Sequence, residues 1–111
     1  MTPTREELEL AALAAGYAIN PHPNAKVLRT LMFLLDGKPW NPLTDDGDAL
    51  RLAVKLGMSV QTKERDLRGV SVTVAYTKIS GAVHEHQDND PCAATRRAIV
   101  RAAAEIGRGM E

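Results

Sequence analysis

The sequence predicts an α+β domain: a small antiparallel or mixed sheet of about four strands with helices on both faces, a three-layer α/β/α sandwich. Three observations lead there. Alanine-rich stretches near each end lie between recognisable helix start and stop signals. Val27 to Leu35 is apolar at almost every position except Arg29 and Thr30, the pattern of a strand covered on both faces. Val70, Val72, Val74 and Tyr76 alternate with Ser71, Thr73, Ala75 and Thr77, the period of a half-buried strand.

A chain of 111 residues, 44% apolar and 25% charged, suits one core and one domain spanning 1–111. Phe33, Trp40, Tyr17 and Tyr76 are its aromatic residues, few platforms for stacking single-stranded nucleic acid. A net charge of zero supplies no basic field for DNA or an anionic membrane, so neither is expected as a partner. Cys92 is the sole cysteine, which excludes an intrachain disulfide and fits a reducing, cytoplasmic setting. The start lacks a basic region followed by an apolar one, and no apolar run reaches the length of a membrane span.

In chain order, Thr4 and Glu7 form a capping box for a helix that runs to Gly16. Leu8, Ala11, Ala12 and Ala15 share one face while Leu10, Leu13 and Ala14 lie mostly opposite. The helix is therefore buried on both sides or meets another chain, and a homo-oligomer contact is expected. Tyr17 starts a short strand that Pro21 and Pro23 break, leaving His22 in a loop. Asp36-Gly37 tolerates the positive φ of a tight hairpin turn and should end the apolar strand. Pro39 and Pro42 hold Lys38 and Asn41 extended around Trp40. Thr44 is placed to cap the next helix, with Asp45, Asp46 and Asp48 favouring its positive end. That helix runs from about Asp45 to Leu56 with Ala49, Leu50, Leu52, Ala53, Val54 and Leu56 on its apolar arc, and Gly57 closes it. Met58 to Gln61 reads as a short strand and Thr62 to Asp66 as a charged connection. The alternating strand covers Leu67 to Tyr76, with one face core and the other small or polar. Ser80-Gly81 turns the chain and Ala82 to His86 returns antiparallel. Asp90-Pro91 begins the last helix, with Cys92, Ile99, Ala103 and Ile106 inward, Arg97 and Arg101 outward, and Gly107 at its end.

Four constellations carry candidate chemistry. Asp45, Asp46 and Asp48 offer hard oxygen ligands, but a helix begins inside the cluster and no glutamate closes a calcium loop, so capping or polar contact with a partner is the favoured role. His84 and His86 share a strand face, with Asp88 next in parity, a three-ligand pattern for zinc or simply an exposed strand face. Trp40 is a core anchor, or a stacking platform with Asn41 beside it. Arg96, Arg97 and Arg101 could form an anion site, and the Arg97/Arg101 pair repels unless a carboxylate or phosphate lies between them. No nucleophile is identifiable, so no catalytic residue and no cofactor are assigned.

The run Trp-Asn-Pro-Leu-Thr-Asp-Asp-Gly-Asp-Ala-Leu-Arg-Leu-Ala-Val-Lys-Leu from Trp40, preceded by Asp-Gly-Lys-Pro and followed by a C-terminal helix with Arg-Arg-Ala-Ile-Val, resembles the phage ABA sandwich domain family. The resemblance implies α/β/α layering and a phage or prophage accessory gene in a bacterial host. It implies no activity. The leading expectation is a non-enzymatic module that binds a host or phage protein. A small-molecule binder, for example of nucleotides through Trp40 and an arginine, is the alternative. A metal-dependent hydrolase on His84, His86 and Asp88 is the third.

Overall fold

A computed structural model describes residues 5–21 and 33–111. Helix α1 covers Arg5–Ala15, followed by strands β1 (Ile19–Pro21), β2 (Phe33–Leu35) and β3 (Lys38–Trp40). Helix α2 covers Asp46–Lys55, strands β4 (Ser59–Arg65), β5 (Ser71–Thr77) and β6 (Gly81–His86) follow, and helix α3 (Pro91–Arg108) completes the chain. The fold is α+β. Among the described residues the strands form two antiparallel sheets of three, β1-β2-β3 and β4-β5-β6, where the sequence suggested one sheet of about four.

Local turn chemistry acts where expected. Asp36 and Gly37 take φ of 54° and 78°, the two left-handed residues of a hairpin turn, so Leu35 pairs with Lys38. Gly57, at φ 62°, ends α2: its N–H reaches the Val54 carbonyl at 3.2 Å and the Met58 N–H reaches that of Ala53 at 2.9 Å. Asp90 caps α3 by accepting the Ala93 N–H at 3.0 Å, with Pro91 in the first turn. The cap of α2 lies one residue later than expected. Asp45, not Thr44, accepts the Asp48 N–H, at 2.8 Å.

Helix α3 is the element the others pack on. Its Ile99, Val100 and Ala103 join Leu8, Ala11, Ala12 and Ala15 of α1 in the main core, together with Phe33, Trp40, Leu52 and Ala53. Its Ala98 and Ala102 pack on Ala75 and Val83 of the second sheet. An alanine surface comes close, so the strand face turned to it must also be small. The face of β5 turned to it is accordingly Thr73, Ala75 and Thr77; on the opposite face Val72 is also buried, Val74 is half-buried and Tyr76 is exposed.

Other departures have similar causes. Gly107 does not end α3 but lies buried within it, where a Cβ would stand 2.0 Å from the Leu10 carbonyl oxygen. Leu10 is thereby covered within the chain, and only Leu13 of that side of α1 remains an exposed large apolar residue. Cys92 is exposed rather than inward. Residues 62–65 extend β4 through a register shift between Gln61 and Glu64, because an edge strand accepts charge and a bulge. Leu67 sits in the turn before β5, fully exposed. The described part of the strand ending at Leu35 leaves none of its residues exposed, with Phe33 buried and Leu34 and Leu35 half-buried. Thr4, His22 and residues 27–32 lie outside the described residues. No described helix is long and apolar enough to cross a membrane.

Candidate functional site

The apolar arc of α2 is wider than the core it meets. Ala49, Leu52 and Ala53 are buried, whereas Leu50 is 63% exposed and Val54 72% exposed. Leu50 instead borders a groove of about 490 Å³ whose walls are α2 and the first half of α3 and whose floor is β4. Ala49, Val60 and Ile99 give the groove its apolar surface, and the Cys92 thiol lies on its α3 wall. At the rim, Arg96 donates to the Leu43 carbonyl at 2.7 Å and to the Asp46 carboxylate at 2.5 Å, tying α3 to the start of α2. The pair is neutral as a unit.

The polar edge of the groove is a chain of hydrogen bonds whose directions follow from chemistry. Thr95 Oγ1 donates its one proton to the Pro91 carbonyl at 2.8 Å, so Thr73, fully buried, donates to Thr95 Oγ1 at 3.0 Å. Thr73 in turn accepts from Gln87 Nε2 at 3.1 Å, and the same nitrogen donates to the Thr62 carbonyl at 2.8 Å. Gln87 thus satisfies a carbonyl at the β4 bulge. Thr62, Gln87 and Thr95 all line the groove.

The residues singled out from sequence are brought together elsewhere. Trp40, 3% exposed, meets Tyr17 edge-on with ring centroids 6.0 Å apart, so its faces belong to the core. Asn41 Oδ1 accepts the Leu43 N–H at 2.9 Å, and the Asn41 N–H donates to Asp48 Oδ2 at 2.9 Å. The other Asp48 oxygen accepts from Arg51 at 2.8 Å. The three aspartates therefore cap, brace and pair: Asp45 and Asp48 within the turn, Asp46 with Arg96. Arg97 and Arg101 do have a carboxylate between them. It is Glu85, buried on β6, with Oε1 accepting from Arg97 Nε at 3.1 Å and Oε2 accepting from Arg101.

His84 and His86 share the outer face of the second sheet, opposite Val74 and Val72. The strand stops at His86, and Asp88 turns away at φ 46°. His86 Nε2 lies 3.1 Å from Asp66, in the β4–β5 turn, rather than with Asp88. The Val70 N–H, with His86 and Arg68 also contributing, holds the Asp66 carboxyl well below the usual carboxylate range. Among the described residues no group of three or more His, Cys, Asp or Glu side chains is placed to hold a metal ion.

Sequence reasoning passed over the groove because its lining comes from α2, β4, Gln87 and α3, none of which is distinctive alone. The available signal was the excess width of the α2 arc, where Leu50 and Val54 exceed what one core contact can cover. Comparison with protein-family models, curated proteins and solved structures returned no match.

Proposed function

We propose that this chain is a non-enzymatic protein-binding module, a phage or prophage accessory protein that engages a host or phage protein in the bacterial cytoplasm through the groove between α2 and α3. The observation that carries the reading is an open apolar groove of about 490 Å³ with Leu50 standing at its mouth. The phage setting rests on the likeness of the Trp40 to Leu56 window to the phage ABA sandwich domain family. A binding role is favoured over catalysis because, among the described residues, the groove lining contains no histidine and its one carboxylate, Asp46, is paired with Arg96. The same volume suits a small molecule, which keeps ligand sequestration as the second reading.

Cys92 supplies a handle for the test. A photocrosslinker attached at Cys92 should capture one host or phage protein, and Leu50→Asp should abolish that capture. The same crosslinker at Leu67→Cys in a Cys92→Ala background should not capture it. Equal capture from both positions, or none from Cys92, would count against the reading. A stoichiometric small molecule released from the purified protein by heat would favour sequestration instead. Self-association through the Leu13 side of α1 is a separate expectation, and light scattering showing a monomer at two well-separated concentrations would remove it.

A further inference from the structure

Among the hydrogen-bonding groups that line the groove, the Gln87 amide has an orientation that the chain itself dictates. The Thr62 carbonyl can only accept, so the Gln87 atom 2.8 Å from it must be the amide nitrogen, and Thr73 Oγ1 holds that nitrogen from a second direction. The amide is locked. Its Oε1 accepts no hydrogen bond among the described residues, and Gln87 lines a groove otherwise dominated by Ala49, Leu50, Val60 and Ile99.

We infer that the groove receives an aromatic side chain bearing a hydrogen-bond donor, a tryptophan or tyrosine of the partner protein, with its N–H or O–H on Gln87 Oε1. This rests on the groove being the docking surface. Apolar walls favour an uncharged anchor, and the internally neutral Asp46–Arg96 rim offers no free charge to an ionic one. An aliphatic anchor would fill the groove but strip water from Gln87 Oε1 without replacing its hydrogen bond. A donor-bearing ring fills the same space and satisfies that oxygen. Tryptophan and tyrosine are also the residues that most often dominate binding energy at protein interfaces.

Indole and 1-methylindole separate the two layers of the proposal, since they share a ring system and differ in the N–H. Titrated into the isotopically labelled full chain and followed by NMR, indole should shift the Ala49 and Ile99 methyl signals and the Gln87 side-chain amide. It should bind about tenfold tighter than 1-methylindole, the ratio expected for one desolvated acceptor left unpaired. Equal affinities with both compounds shifting the groove signals would overturn donor selection while leaving the groove as a docking surface. Shifts confined to other parts of the molecule would overturn both.

Discussion

The two halves of α3 meet their surroundings in opposite ways. In the second half Val100, Ala102, Ala103, Ala104 and Gly107 are sealed, and α1 comes so near that its backbone occupies the space of a missing Cβ. In the first half Pro91 and Cys92 are exposed, Thr95 and Arg96 are half-buried, and the space beside them is the groove. Small residues close a helix only where a neighbouring backbone can reach it. Where α1 gives way to α2 and β4, side chains do not fill the gap, and a surface for something else remains.

Changes at the closed half should have the largest effect. Gly107→Ala gains about 1 kcal/mol of helix propensity but drives a methyl group into the Leu10 carbonyl, so packing decides the sign. Urea unfolding should show a net loss of about 3 kcal/mol; unchanged stability would mean that α1 and α3 are not in backbone contact. Glu85→Gln comes next. It leaves Arg97 and Arg101 facing each other, and the loss should be about 2 kcal/mol, less than a fully buried pair because both guanidiniums keep some water.

Removing the Asp48 carboxylate takes an acceptor from the Asn41 N–H and leaves Arg51 with only its longer, 3.8 Å contact to Asp45, and Asp48→Ala should cost about 1 kcal/mol in the same assay. A smaller, pH-dependent effect belongs to Asp66. Its carboxyl titrates lower in the folded chain than in the unfolded one, so its contribution is complete above the ordinary aspartate pKa and fades as pH falls below it. Asp66→Asn should therefore be less stable than the parent at neutral pH and converge with it in acid, as read from thermal unfolding at several pH values. Leu50→Asp should change stability least, within about 0.5 kcal/mol, because the side chain already faces water. If it destabilises strongly, Leu50 is core and the groove is not open.

What could be read from the sequence was local. Asp36-Gly37, Gly57 and Asp90-Pro91 specify their backbone through their own chemistry, so turn, helix end and helix start fell where expected. Gly107 resembled them, yet its role is set by Leu10, almost the whole chain away, and no neighbouring residue announces it. The same distance hid Glu85: the repulsion between Arg97 and Arg101 called for an anion, but nothing in the helix says that β6 supplies it. Trp40 drew attention as a site residue because it is rare and bracketed by prolines. Rarity is equally a property of core anchors, and Tyr17 makes it one. The groove required knowing that Leu50, Val60, Gln87 and Ile99 converge, which only the packing of α2, β4 and α3 decides.

The thiol of Cys92 reports on the open half of α3 without any substitution. A bulky maleimide should label it in the native chain at close to the rate measured after denaturation, and should then block indole from the groove. Labelling that proceeds only as fast as the chain unfolds globally would mean the groove is closed, and the proposed docking surface would fall with it.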